Sequence, residues 1–314
     1  MLLALKIDVD TLRGTREGVP RLLEILRRHD AGATFLFSVG PDHTGRAIRR
    51  VFRPGFFEKV QRTSVVRHYG IKTLLYGTLL PGPDIGLRAG DFMRQVKDEG
   101  FEVGVHAWDH VKWQDGLDGA CAEWTGKQMS LACERFTDIF KEPPRTHGAA
   151  GWQMNLHALR LTQALGFEYC SDGRGVYPHL PVWNAELVRC PQLPTTLPTL
   201  DELIGIDDVN EDNVADRLLE STAMPPEGPG FAGHVFTLHA ELEGMRLAPA
   251  FEKLLAGWKA QGYTLVPMHT LYDTLQALAL PRCEVQLAPV PGRSGTLFSQ
   301  GREFLADVDL AQAA

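Results

Sequence analysis

Short apolar segments that end in polar residues alternate with helix-like segments along most of the chain, and this alternation constrains the fold most. Residues 2–10 (LLALKIDVD) form an apolar run that ends in acids, and residues 19–30 then place apolar side chains at helical spacing. The same succession recurs from 33–40 onward and late in the chain, between 233 and 278. Strand–helix alternation predicts an α/β protein with a parallel sheet, either open or closed into a barrel.

Charge and composition exclude several classes of protein. The 314 residues carry 32 lysines and arginines against 39 aspartates and glutamates, a net charge of −7, so no nucleic-acid binding is expected. No apolar run reaches the roughly 18 residues that span a bilayer, and residues 1–10 lack the features of a signal peptide. We expect a cytoplasmic protein without disulfides, because its cysteines are scattered and odd in number. They are Cys121, Cys133, Cys170, Cys190 and Cys283.

Ionisable residues follow several predicted strands at the point where each strand ends. Asp8 and Asp10 close the first predicted strand, His106 and His110 follow a strand that begins near residue 101, and His239 closes a late strand. Because the chemistry of parallel α/β folds lies at the carboxyl ends of the strands, we expect these side chains at one rim of the sheet.

The spacing of these residues favours a metal-assisted reaction. Asp8 and Asp10 lie on the same face of a strand, and two buried carboxylates are costly unless something pairs with them. His106 and His110 face the same way if the chain turns into a helix there. Two imidazoles and a carboxylate suit a catalytic divalent metal, and His239 suits a general acid. Each feature alone also fits an ordinary structural role, but together they are the parts of metal-assisted hydrolysis.

Residues 46–83 form a basic and apolar insertion after the second predicted strand. The segment has eight basic residues and a single acid, Glu58, which makes its charge +7. Such a mixture is typical of a helical segment that lies on a membrane surface, but it also fits ordinary core-packing helices with a basic outer face. The residues predicted to contact lipid are Arg49, Arg50, Arg53, Phe56, Phe57 and Arg62.

Three short strings, taken in order, resemble the motifs of the polysaccharide deacetylase family, whose members share the NodB homology domain. They are IDVDT at 7–11, GVHAWDH at 104–110 and TLHAE at 237–241. The resemblance implies a deformed (β/α) barrel and one divalent metal ion. Zn, Mn, Co and Fe all suit two histidines and one carboxylate.

The same resemblance implies roles for the residues at the rim. Asp10, His106 and His110 correspond to the metal ligands. Asp8 corresponds to the general base, and His239 corresponds to the general acid.

Longer strings are similar to a branch of this family that removes the formyl group from 4-deoxy-4-formamido-L-arabinose phosphoundecaprenol. They are IDVDTLRGTREGVPRLLEIL, GVHAWDHVKWQ, AAGWQ, SDGRG, LPTTLPTLDELIG and TLHAELEG. This similarity implies a polyprenyl-phosphate-linked sugar as substrate, formate as a product, and a place in lipid A modification and polymyxin resistance. It also implies peripheral association with the cytoplasmic face of the inner membrane, which favours lipid contact by residues 46–83, and no obligate protein partner is inferred. The residues expected to contact the substrate are Trp108, Trp113, Trp152, Arg174 and Glu241.

One departure from the family concerns the residue that orients the base. The family has an arginine for this purpose, but the corresponding segment, GAAGWQMN at 148–155, has none, and Gln153 stands where the related branch has an arginine. Arg145 and Arg174 are the candidates to orient Asp8 instead.

The chain is predicted to form a single NodB-homology domain over residues 1–281 and an irregular C-terminal tail over 282–314. Two other functions are compatible with the motifs. One is an N-deacetylase for another amide-bearing sugar or amine, and the other is a catalytically silent binder of polyprenyl-linked sugars.

Overall fold

A computed structural model describes residues 1–47, 70–224, 232–275 and 280–305. Within these ranges, no helix is both long and apolar enough to cross a membrane. The residues predicted to contact lipid lie outside the described residues: Arg49, Arg50, Arg53, Phe56, Phe57 and Arg62.

The described secondary structure alternates between strands and helices, as the sequence predicts. The strands are β1 (Leu2–Val9), β2 (Thr34–Ser38), β3 (Glu102–Ala107), β4 (Thr146–His147), β5 (Tyr169–Cys170), β6 (Leu180–Trp183), β7 (Glu186–Leu187), β8 (Gly233–His239), β9 (Thr264–Val266), β10 (Arg282–Pro289) and β11 (Thr296–Glu303). The α-helices are α1 (Val19–Arg28), α2 (Ile71–Leu75), α3 (Ile85–Asp98), α4 (His110–Gly116), α5 (Ala122–Phe140), α6 (Leu156–Ala164), α7 (Leu200–Leu203), α8 (Val214–Thr222), α9 (Ala248–Ala260) and α10 (Met268–Asp273).

The main sheet is parallel and curls into a half-barrel, which confirms the predicted α/β class and deformed barrel. Its order is β5-β4-β3-β2-β1-β8, and β9 also pairs with β1. Because all these pairings are parallel, the carboxyl ends of the strands meet at one rim.

The middle of this sheet is buried because helices cover it. β1 is buried from Leu3 to Val9, as expected for a parallel strand with both faces covered. The helix α1 buries Leu22, Leu23 and Leu26 in the same core, and Pro20 occupies its first turn. The polar residues at the end of β1 are therefore held close to a rigid apolar support.

A second sheet, in the order β11-β10-β6-β7, corrects the prediction of an irregular tail after residue 281. Residues 282–303 contain the antiparallel strands β10 and β11, and β10 also pairs with β6. Phe298 of β11 is buried against Trp183 of β6, with 5.9 Å between the ring centroids. The glycines and prolines between the strands lie in the turn at 290–295, which leaves the flanking segments free to pair.

Candidate active site

The ionisable residues predicted at strand ends come together where β1, β3 and β8 end. Asp8 lies opposite His239 in the pairing of β1 with β8. Asp10 follows β1, and His106 belongs to β3. The helix α4 begins only at His110, whereas His106 lies in β3, so the junction between strand and helix brings the two histidines together rather than the single helical turn that the sequence suggested.

Two histidines and one carboxylate form a compact set of donor atoms. His106 Nε2 lies 3.3 Å from Asp10 Oδ1, and His110 Nε2 lies 3.5 Å from Asp10 Oδ2. The ligand atoms of the three residues all lie within 4.8 Å of one another. Nitrogen and oxygen ligands of a tetrahedral metal ion are separated by about 3.3 Å, given metal–ligand bonds of about 2.0 Å. The spacing is therefore close to that of a metal site.

Neighbouring groups hold the two histidines in the orientation that a metal requires. His106 Nδ1 lies 2.7 Å from the carbonyl oxygen of Gly148. A carbonyl only accepts, so Nδ1 carries the proton and the lone pair of Nε2 faces the site. Asp109 caps the first turn of α4 and lies 2.6 Å from His43 Nδ1, which fixes the start of the helix and hence His110.

The buried carboxylates of Asp8 and Asp10 favour the binding of a cation beside the two histidines. Asp8 Oδ1 and Asp10 Oδ1 are buried and accept no well-formed hydrogen bond from the described residues. Burial alone raises the pKa of Asp10, but the nearby His110 and His106 outweigh this effect and hold the pKa well below its ordinary value. Burial lowers the pKa of His106, but Asp8 and Asp10 outweigh it and raise the pKa. These residues therefore fit a divalent metal ion, with positions left for water and substrate. We call Asp8, Asp10, His106 and His110 the open cluster.

The cation that faces Asp8 is Lys6. Its Nζ lies 3.6 Å from Asp8 Oδ2 and donates a hydrogen bond to the carbonyl oxygen of Ser171 at 2.9 Å. Burial lowers the pKa of Lys6, whereas the carboxylate of Asp8 acts in the opposite direction.

Both arginines considered as partners of Asp8 pair with other residues. Arg145 forms a bidentate ion pair with Glu168 on the surface, and Arg174 lies 3.1 Å from Glu202. Lys6 was missed although its position carries a signal: it stands two residues before Asp8 in a strand, so both side chains share a face.

His239 lies at the end of β8, which pairs with β1 on the side away from β2 and β3. Its backbone N–H donates to Glu243 Oε2 at 2.8 Å, and its Nδ1 is buried without a hydrogen-bond partner among the described residues. Burial raises the pKa of Glu243 to about 8. The ring of Trp152 stands edge-on to His239, with 6.5 Å between the centroids.

Comparison with known proteins agrees with this geometry. The sequence pattern of the family described as polysaccharide deacetylase matches residues 4–170, more than half of the chain. The chain belongs to the polysaccharide deacetylase family. It is therefore an enzyme, a hydrolase that acts on amide carbon–nitrogen bonds.

Two curated relatives cover nearly the whole chain. A probable 4-deoxy-4-formamido-L-arabinose-phosphoundecaprenol deformylase from Shewanella sediminis is 39% identical over 94% of this chain and 93% of its own length. A protein of the same name from Wigglesworthia glossinidia brevipalpis is 32% identical over 91% of this chain and 98% of its own. Among solved structures, a putative polysaccharide deacetylase from Mycobacterium smegmatis has a TM-score of 0.62 and 17% identity, covering 92% of this chain and 94% of its own. At that identity the likeness concerns the fold.

In this member of the family, Trp152 lies beside His239. Its backbone φ is 53°, a left-handed conformation that is uncommon for a bulky residue and is typical of strained functional positions. The guanidinium groups of Arg174 and Arg293 lie 5.2 Å and 4.8 Å from the centroid of the indole. Arg293 belongs to the turn between β10 and β11, so the segment expected to be irregular contributes to the site.

The other residues expected to contact substrate lie at different depths. Trp108 is partly buried, and the guanidinium of Arg135 stacks over its ring at 5.1 Å from the centroid. Trp113 is buried, and its Nε1 donates to the carbonyl oxygen of Gln153 at 2.9 Å. Contact between these two tryptophans and a substrate stays a prediction.

Glu241 is fully buried and supports the loop that carries Asp10. Its Oε1 accepts hydrogen bonds from the backbone N–H groups of Asp10 and Thr11 and from the Thr11 hydroxyl. Burial and the charge of Asp10 raise its pKa well above the ordinary value. A Cβ at Gly14 would approach Glu241 Oε1 to 1.9 Å, so the close passage of the chain requires glycine there.

A second group of donor atoms lies at the ends of β4 and β5, and we call it the closed cluster. His147 Nδ1 lies 2.6 Å from Asp172 Oδ1, and Asp172 Oδ2 accepts a hydrogen bond from Gln192 Nε2 at 2.9 Å. Cys170 completes a set of metal-binding residue types there. The closed cluster thus consists of His147, Cys170 and Asp172, and these residues and Gln192 are all buried.

Proposed function

We propose that the protein hydrolyses the formamide of 4-deoxy-4-formamido-L-arabinose phosphoundecaprenol, giving formate and the free 4-amino sugar on its lipid carrier. The observation that carries this proposal is the 39% identity over 94% of the chain to a relative named for that activity. The open cluster and His239 supply the groups that amide hydrolysis needs.

Asp8 is the general base in this reaction. It is not needed as a ligand, since Asp10, His106 and His110 are a sufficient set. A divalent ion in that set would act as a Lewis acid that polarises the formyl oxygen. Asp8 Oδ1 has no donor of its own, so it can take the proton from the attacking water.

His239 is the general acid. Its Nδ1 has no hydrogen-bond partner among the described residues, and β8 places it directly across from Asp8. A proton held on that imidazole can pass to the sugar nitrogen as the carbon–nitrogen bond breaks, so the sugar leaves as an amine. The amine is cationic at neutral pH. Once it is attached to lipid A, it weakens the attraction for cationic peptides such as polymyxin.

A polyprenyl-linked substrate lies in a membrane, so the proposed substrate supports peripheral association of the enzyme with the cytoplasmic face of the inner membrane. Residues 46–83 have a charge of +7, and each basic residue near an anionic leaflet contributes about 1 kcal/mol of attraction. This segment holds the protein at the surface reversibly.

Formate release tests the substrate. The metal-loaded enzyme is incubated with formamido-arabinose polyprenyl phosphate, with the matched acetamido compound as control, and a chelated sample is run beside it. We expect metal-dependent release of formate and little acetate. Acetate release alone would make the protein a deacetylase for another substrate, and binding without release of either acid would make it a silent binder.

Vesicle binding tests the membrane contact. We expect wild type to sediment with anionic vesicles at low salt and to be released by high salt. One variant replaces four arginines of the insertion with glutamine: Arg49, Arg50, Arg53 and Arg62. A matched control replaces four exposed basic residues elsewhere: Arg21, Lys127, Arg217 and Lys253. Equal vesicle binding by the two variants would contradict the role of the insertion.

A further inference from the structure

Lys6 is a buried cation in the strand that carries the base. It is the only lysine among the described residues that is fully buried, with 0% of its surface exposed. Its Nζ lies 2.9 Å from the carbonyl oxygen of Ser171, 3.6 Å from Asp8 Oδ2 and 5.5 Å from the ring centroid of Trp152. A buried ammonium group is costly unless an anion faces it. Here Asp8 is the anion in direct contact, and the charge of Asp172 also acts on the ammonium group.

The surroundings are shaped to admit this side chain. A Cβ at Gly148 would lie 3.0 Å from Lys6 Cε, 3.2 Å from Lys6 Nζ and 2.4 Å from Leu36 Cδ1. Glycine at this position therefore leaves room for the lysine. The carbonyl of Gly148 also orients His106, so one backbone segment supports both the lysine and a histidine of the open cluster.

The two oxygens of Asp8 have different neighbours. Oδ2 faces Lys6, whereas Oδ1 lies 3.8 Å from His106 Nδ1, which already bonds to Gly148. Oδ1 therefore accepts no hydrogen bond from the described residues. A cation on one oxygen fixes the plane of the carboxylate and leaves the other oxygen free for a proton.

We propose that Lys6 is the positioning residue of Asp8: its ammonium group holds Oδ2 so that Oδ1 stays aimed at the attacking water. This role rests on the proposed function in that it takes Asp8 as the base of amide hydrolysis. It replaces the arginine that neither Arg145 nor Arg174 supplies, since each of them pairs with a glutamate.

The test compares Lys6→Met, which keeps the volume of the stem without the charge, with Lys6→Arg, which keeps a cation. Arg145→Met is the matched control, because it removes a cation that pairs with Glu168 on the surface. We expect Lys6→Met to lose about 100-fold in kcat, the scale of a misplaced catalytic group, with KM and bound metal unchanged. Lys6→Arg should recover most of kcat, and Arg145→Met should match wild type.

A crystal structure of Lys6→Met supplies a reading that needs no turnover. We expect the Asp8 carboxylate to leave the position that it has in the wild type. If Lys6→Met does not fold, Lys6→Gln takes its place in both measurements. Wild-type kcat in the uncharged variant, or an unmoved Asp8, would overturn the proposal. A fall in kcat that is matched by loss of bound metal would also overturn it, because Lys6 would then support the metal ligands.

Failure of this proposal differs from failure of the proposed function. If wild type releases no formate, the substrate assignment fails, and the Lys6 variants are compared on the acylated sugar that wild type does hydrolyse. The position of Asp8 in the crystal decides the role of Lys6 in either case.

Discussion

The open cluster and the closed cluster use the same residue types at neighbouring strand ends, yet their polar atoms have opposite surroundings. In the open cluster, one oxygen each of Asp8 and Asp10 lacks a donor, and the His110 side chain keeps 19% of its exposure. In the closed cluster, both carboxylate oxygens of Asp172 accept hydrogen bonds and the side chain is fully buried. An unsatisfied buried polar group costs about 1–3 kcal/mol. A bound cation or substrate can remove that cost at the open cluster. At the closed cluster both oxygens of Asp172 already have donors, so binding would lower the free energy less.

Matched aspartate variants should separate the clusters most sharply. We expect Asp8→Asn to lose about 1,000-fold in kcat, because a general base contributes about 10²–10⁴-fold. Asp172→Asn should keep most of the turnover of its folded fraction, since Asp172 bonds to His147 and Gln192 rather than to substrate. Steady-state kinetics, corrected for folded protein by circular dichroism, measures both. Near-wild-type turnover in Asp8→Asn would remove the assignment of the base.

Metal binding should follow the same division. We expect His106→Ala and His110→Ala to weaken binding by more than the roughly 10–100-fold that follows loss of a partner behind a ligand. His147→Ala should retain the wild-type stoichiometry, because His147 Nδ1 is engaged by Asp172. Elemental analysis and calorimetric titration with Co²⁺ measure these effects. Two metal equivalents in wild type, one of them lost in His147→Ala, would show that the closed cluster also binds metal.

Stability without metal should respond in the reverse order. We expect His147→Ala to lower the free energy of unfolding by about 2–3 kcal/mol, because it takes a donor from the buried carboxylate of Asp172. His110→Ala should cost less, about 1 kcal/mol, because Asp10 keeps His106 as a partner at 3.3 Å and the His110 side chain is 19% exposed. Urea unfolding of the chelated variants gives both values. Equal losses would mean that the open cluster is as well satisfied as the closed one.

Acid should weaken the region behind the closed cluster. The backbone of His179 exchanges hydrogen bonds with Gln192, and burial lowers the pKa of His179 to about 4. The folded state therefore favours neutral His179. The contribution of this residue to the free energy of unfolding is lost as the pH falls from about 6.5 towards 4. By pH 5 the loss is about 2 kcal/mol for full burial. His179→Gln should lose less stability between pH 7 and pH 5 than wild type in urea unfolding. Parallel losses would assign the acid sensitivity to other groups.

The candidate site was largely predictable because its signals are local. Asp8 and Asp10 stand two positions apart at the end of β1, so the strand period predicts that they share a face. His106 and His110 stand four positions apart where β3 gives way to α4, and the rule for parallel sheets places both pairs at one rim. Asp8, Asp10, His106 and His110 accordingly meet in the structure. The strand period also places Lys6 on the same face as Asp8. The sequence alone does not show whether that lysine is buried or which residue it contacts.

The closed cluster and the second sheet depend on contacts between distant segments. His147 and Asp172 are 25 residues apart, and their pairing follows from the alignment of β4 with β5. Arg293 reaches Trp152 because β10 and β11 form a hairpin that packs on β6. The glycines and prolines of the turn at 290–295 made the whole segment look irregular in sequence, so the strands β10 and β11 on either side of it were not predicted.

The sequence by itself determined the fold class, the family and the residues that meet at the rim, because strand period, helix period and motif order are properties of neighbouring residues. Only the tertiary structure decided which polar atoms remain without partners. Asp172 and Asp8 are both buried aspartates at strand ends, but one has donors on both oxygens and the other does not. The cost of burial depends on what packs against each atom in three dimensions, and that is where a satisfied structural group and a reactive one differ.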